Sequence, residues 1–183
     1  MTLAVWTLFV GTVLLMMSTP GPSHLLMLST SASNGFKRSL ATAAGDLSAN
    51  AIQMLLAGFG LAAILASSRY GFAMIKWGGV AYLVWIGIRM IRASFGGKAG
   101  ALVIEKTSLN RLWLRGFITS AANPKAVVFF AALFPQFINP SLALLPQILI
   151  LGATYIAIDG AFLCLYGSGA SWLASRLQSK FRH

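Results

Sequence analysis

The sequence predicts an all-α, polytopic helical membrane protein: five spanning helices from a three-plus-three inverted-repeat fold whose last helix is absent. Three observations predict it. The 183 residues are 57% hydrophobic and only 9% charged, far below the roughly 25% charged residues of soluble domains. Five segments, about 4–30, 40–66, 71–92, 113–138 and 142–173, are apolar over the length a bilayer requires. Two of them are interrupted by proline, the first at Pro20-Gly21-Pro22 and the fourth at Asn123-Pro124-Lys125.

The first segment, from Met1 to Pro20, has no Lys or Arg. It therefore lacks the basic start of a cleaved signal and reads as a retained helix. Lys37 and Arg38 follow the first span. Arg89, Arg92, Lys98, Lys106, Arg111 and Arg115 surround the connection from the third to the fourth, and Arg176, Lys180 and Arg182 follow the fifth. With alternating spans these eleven cations share one side and Arg69 stands alone on the other. The positive-inside rule then puts the N-terminus outside and residue 183 in the cytoplasm. Gly96–Gly100 reads as a flexible linker in a cytoplasmic loop of about 93–112, between a first repeat of about 1–95 and a second of about 113–183, in a single membrane domain. The net charge of +11 does not point to nucleic acid, because the basic residues sit between apolar runs rather than along a helix face. The lone cysteine, Cys164, has no internal disulfide partner.

A break in a membrane helix needs partners for the backbone groups it frees. Pro20 frees the carbonyl of Met16, Pro22 that of Ser18, and Pro124 that of Ser120, because proline has no N–H to donate. Asn123 before Pro124 has the form of an N-cap with proline at the first helical position, and Gly21-Pro22 can play the same part. A restarted helix aims free N–H groups and a positive dipole end into the membrane, which suits a carboxylate, whereas freed carbonyls suit a cation. A single break reads as a simple kink. Here Pro22 and Pro124 lie 102 residues apart in spans of opposite direction. Paired interruptions of that kind point to a transporter built from inverted repeats, with its site near the midplane.

Polar residues within the spans add candidates. Ser39, Thr42, Asp46, Asn50 and Gln53 fall on one helical face, which either lines a cavity or hydrogen-bonds to a neighbouring helix. Asp46 and Asp159 lie in equivalent spans, and intramembrane carboxyls are functional candidates. Tyr155 and Asp159 share a face that Tyr166 extends. Lys125 either pairs with Asp159 or holds a substrate carboxylate. His24 is either packed or a proton carrier. Lys76 snorkels towards its span end, Glu105 is solvated, and Trp6, Trp77, Trp113 and Trp172 mark interfaces. No phosphate-binding loop, nucleophile motif or zinc-ligand spacing occurs, so neither a cofactor nor catalysis is expected.

The segments PGPSHLLML at 20–28, GGVAYLVWIGIRMIRAS at 78–94 and FITSAANPKAVVFFAALFPQFINP at 117–140 resemble the lysine exporter family, also called the homoserine/threonine resistance (RhtB) family. The resemblance runs over nearly the whole chain, and Pro20, Gly21, Pro22, Asn123, Pro124 and Lys125 match the family's two helix breaks. It implies a six-helix inner-membrane exporter of amino acids or close derivatives, driven by an ion gradient, with lipid and a small-molecule substrate as partners. The repeat offset of 102 places a sixth helix at about 173–194, and the chain ends at His183, so a second repeat short of one helix is expected. Pairing with another copy, as a homo-oligomer, or with another subunit would cover polar faces left open. Two readings stand beside the exporter: a truncated, non-transporting or partner-dependent membrane protein, and an intramembrane enzyme using Asp46, Asp159 and His24.

Overall fold

Local chemistry sets the helix ends. The protein, seen in a computed structural model that describes residues 1–67 and 107–180, is entirely helical over its regular elements among the described residues. Helix α1 (Leu3–Met17) begins at an N-cap Thr2 whose hydroxyl accepts from the Val5 N–H. It ends where Pro20 can no longer donate to Met16. Helix α2 (Pro22–Asn34) restarts with Gly21 as N-cap and Pro22 at its first position, and meets α1 at 57°. Gly35, at φ 80°, is the whole connection to α3 (Phe36–Ser67). A side chain there would be strained.

The second bent pair is built the same way. Helix α4 (Leu109–Ala121) ends before Asn123, whose side chain accepts from the Lys125 N–H and caps α5 (Pro124–Val128). The chain continues through a π turn over Phe129–Leu133 and a 3-10 turn over Phe134–Phe137. Pro135, which cannot donate, falls at the change to the tighter turn. The two arms of this span meet at 50°. Helix α6 (Leu144–Lys180) follows, with Pro146 tolerated in its first turn.

Among the described residues α6 alone is long and apolar enough to cross a bilayer as one helix, and each bent pair is long and apolar enough taken as one span. The expected first, fourth and fifth spans are thus present, and α3 covers the expected second. The third span at 71–92, with Lys76 and Trp77, lies outside the described residues, as do Glu105, Arg182, the Gly96–Gly100 linker and the cations from Arg69 to Lys106.

The two bent spans run antiparallel. Met1, Thr2 and Val5 of the first lie against Gln136–Asn139 at the end of the fourth. At the other end, the Thr107 N–H donates to Asn34 Oδ1 (3.1 Å) and Arg38 donates to the Thr107 carbonyl (2.7 Å). Helices α3 and α4 touch backbone to backbone. A Cβ at Gly45 would stand 1.9 Å from the Trp113 carbonyl oxygen, and one at Gly116 would stand 2.0 Å from that of Thr42. Small residues are what permit such approach inside a membrane. An aromatic core of Phe9, Phe129, Phe130, Phe134 and Tyr155 packs α1 against the fourth span and α6. Trp6, placed at an interface by its position, also donates through Nε1 to Thr154 Oγ1 on α6 (3.0 Å).

Candidate functional site

The two breaks meet. Lys125, one residue into α5, donates through Nζ to the carbonyls of Met16 and Thr19 (2.6 Å to Thr19) in the first break. Asn123, which caps α5, donates through Nδ2 to Ser23 Oγ in the first turn of α2 (3.3 Å). A Cβ added at Gly21 would lie 3.6 Å from Lys125 Cδ, so the glycine leaves room for the lysine stem. The Met16 carbonyl freed by Pro20 is thus satisfied from the other span, whereas the Ser120 carbonyl freed by Pro124 accepts from the nearby Asn123 N–H (3.0 Å).

Beside this junction lies a buried polar network. Asn50 Nδ2 donates to Asp46 Oδ2 (2.9 Å) and to Asp159 Oδ2 (2.8 Å), and Asn50 Oδ1 accepts from Ser120 Oγ (2.9 Å). One amide therefore bridges α3, α4 and α6, with Asp46, Asn50, Ser120 and Asp159 all buried. His24 enters from α2. Its Nδ1 accepts from the Gly21 N–H (3.5 Å), and its Nε2 stands 4.0 Å from Asp159 Oδ1. Tyr166 packs edge-on against its ring, with centroids 5.0 Å apart.

His24, Asp46, Asn50 and Asp159 line a cavity of about 20 Å³ together with Met16, Gly21, Tyr155 and Lys125. That is room for about one water molecule. Small-molecule sites occupy roughly 300–1,000 Å³, so the cavity as it stands is too small for a metabolite.

The sequence-predicted residues divide as follows. Gly21, Asn123, Lys125, Asp46, Asn50 and Asp159 come together in one cavity wall. Pro20, Pro22 and Pro124 shape the breaks without lining it. Gln53 stands apart, donating through Nε2 to the Ala121 carbonyl (3.2 Å) at the end of α4. Both readings of the polar stripe hold in part: Asp46 and Asn50 line the cavity, while Ser39 shares a hydrogen bond with Ser31 (2.6 Å) between α3 and α2. Lys125 forms no ion pair with Asp159; its ammonium rests on the carbonyls of Met16 and Thr19. The side chains of Ser23 and Ser120 also join the site, each at a break where freed groups need partners. Among the described residues no cluster of three metal-ligating side chains occurs.

Residues 13–183 match the family model described as LysE type translocator. The chain belongs to that family. It is 36% identical, over 96% of its length and 84% of the relative's, to a homoserine/homoserine lactone efflux protein of Salmonella typhimurium, and the same figures relate it to the protein of that description from Salmonella typhi. It is also 33% identical, over 98% of its length and 87% of the relative's, to an uncharacterized membrane protein of Vibrio cholerae. No solved structure matches the chain. Family and fold together make this a multi-pass membrane protein of a translocator type.

Proposed function

We propose that this translocator is a secondary exporter of amino acids or close derivatives across the cytoplasmic membrane, driven by the proton gradient. The observation that carries the reading is the junction itself: two oppositely directed helix breaks meet beside two buried carboxyls that share one amide. A carboxylate in such a place holds either a proton or an ammonium group, but not both at once. That competition is all an exchanger needs. A substrate ammonium bound at Asp159 and Asp46 from the cytoplasmic side is released outside when a proton takes its place, and that proton is given up inside.

The names of two relatives fit an ammonium-centred site. Homoserine and its lactone both carry a primary ammonium, whereas only homoserine carries a free carboxylate. A substrate carboxylate, where present, would meet the N–H groups at the start of α2 and Lys125 once that side chain swings free. Pro20, Gly21, Pro22, Asn123 and Pro124 hold this geometry, and Asn50 keeps the two carboxyls in register.

The distribution of charge supports the orientation. Lys37, Arg38, Arg111, Arg115 and Arg176 gather at one end of the helices, tied by the Arg38 bond to Thr107. The other end, from Met1 to Val5 and from Gln136 to Gln147, has no Lys or Arg. The basic end is the cytoplasmic one, with the N-terminus outside.

The test is uptake into inverted membrane vesicles. Labelled homoserine, threonine, lysine and homoserine lactone are offered with and without an imposed proton gradient, and the contents are analysed chemically. Gradient-dependent accumulation of an unchanged substrate is expected. Absence of accumulation across the panel, or conversion of the substrate, would overturn the reading.

A further inference from the structure

The freed carbonyls of the first break are not simply a defect that Lys125 repairs. Helix α1 ends at Met17. In an unbroken helix the Met16 carbonyl would accept from residue 20, which is proline. The Thr19 carbonyl lies in the break, outside either helix. The Met16 carbonyl belongs to the negative end of the α1 dipole. Among the described residues, a long 3.4 Å bond from the Thr19 N–H is the only backbone hydrogen bond that the Met16 oxygen receives at the break. Two carbonyls converging on one point make a seat for a cation with N–H bonds to give, and a primary ammonium has three. The Lys125 ammonium sits there.

Three features make this seat more than a structural tie. It opens on the same cavity as Asp46, Asp159 and His24, so a cation in it lies beside the carboxyls. Its occupant comes from the opposite break on a flexible, half-buried stem, and the path of that stem runs past Gly21, where no side chain obstructs it. Among the described residues the Lys125 ammonium also has no side-chain acceptor; both of its hydrogen bonds go to backbone carbonyls. We infer that the Met16 and Thr19 carbonyls form a primary-ammonium site, which Lys125 fills as a tethered stand-in and yields to the ammonium of the substrate. The exchange keeps the carbonyls satisfied both with and without cargo, which the hydrocarbon surroundings demand. It also frees Lys125, at the moment of loading, to meet a substrate carboxylate. The site selects for N–H donors: a primary ammonium fits, and a quaternary one of equal charge does not. This deepens the exporter reading and rests on it only for the displacement by cargo; the carbonyl seat itself stands on the geometry.

The experiment uses the full chain purified in detergent. Lys125→Ala removes three methylenes and the ammonium, the atoms of n-propylammonium, so that ion is the probe. Tetramethylammonium is the control for charge. Lys125→Met keeps most of the stem and is probed with ammonium ion instead. Thermal unfolding is followed against probe concentration. For each variant the N–H-bearing probe is expected to bind about tenfold or more tightly than tetramethylammonium, as a charge-assisted hydrogen bond implies. The wild-type protein, with its seat filled, should bind it more weakly than either variant. A variant that folds only with its probe present supports the site equally. Equal response to primary and quaternary ions, equal binding by wild type and variants, or no recovery of either variant by its probe overturns it. No transport is measured, so this result and the vesicle result fail separately.

Discussion

Replacing Asn50 by alanine strikes the network at its centre. The amide donates to Asp46 Oδ2 and Asp159 Oδ2 and accepts from Ser120 Oγ, at 2.9, 2.8 and 2.9 Å. All three bonds are lost together. Interhelical hydrogen bonds in membranes average about 0.6 kcal/mol and reach about 1.7. Two of the three bonds cross between helices, and the one to Asp46 lies within α3, where an i,i+4 pair adds about 0.2–0.5 kcal/mol. Together they give a loss of about 1.5 to 4 kcal/mol, with the upper part favoured because two partners are carboxyls. Unfolding in mixed detergent micelles, followed by circular dichroism, measures it. A double-mutant cycle with Asp159→Ala isolates the α3–α6 bond, and a coupling of about 0.5–2 kcal/mol is expected. A single-mutant loss under about 0.5 kcal/mol with no coupling to Asp159 would refute the reasoning, since exposed, unconnected sites behave that way.

Asp46→Asn should abolish or strongly reduce export while leaving membrane insertion intact, and efflux measured together with membrane abundance checks it; normal efflux at normal abundance removes Asp46 from the mechanism. Gly116→Val must push α4 off the Thr42 carbonyl and should destabilise by about 1–3 kcal/mol or more, whereas Gly11→Val, with nothing within 4 Å of its Cβ, should change little; equal unfolding midpoints for the two would contradict the close helix contact. Asn123→Ala removes the α5 cap, a loss of about 1 kcal/mol, together with the bond to Ser23. It should therefore weaken substrate affinity beyond what the small stability change accounts for, as read by comparing export KM with the unfolding midpoint.

The breaks were legible because proline chemistry is local. Pro20 and Pro124 announce where a helix stops, and Asn123 before Pro124 announces where one restarts. The stripe from Ser39 to Asn50 was legible from helical spacing alone. What joins these pieces was not, because contacts across 100 residues leave no trace in local periodicity. The freed Met16 carbonyl could be read from the sequence, and so could the membrane-buried Lys125, yet nothing said that one would seat the other. Gln53 shares the spacing of Asp46 and Asn50 but sits beyond the cavity, because α4 ends beside it and offers the Ala121 carbonyl. Gly45 and Gly116 carry no pattern of their own in the sequence; only the meeting of α3 with α4 gives them a purpose. The change from α to π to 3-10 winding after Val128 was also hidden, apart from the hint of Pro135.

Direct binding tests the central claim, that the two breaks form one substrate site. Labelled homoserine is titrated onto the purified protein, then onto Asn123→Ala from the second break, onto Asp159→Asn from α6, and onto Gly21→Leu, which crowds the Lys125 stem at the first break. A single saturable site, weakened by all three substitutions in protein that remains folded, is the predicted result. Binding that survives undiminished in folded protein altered at either break would contradict it.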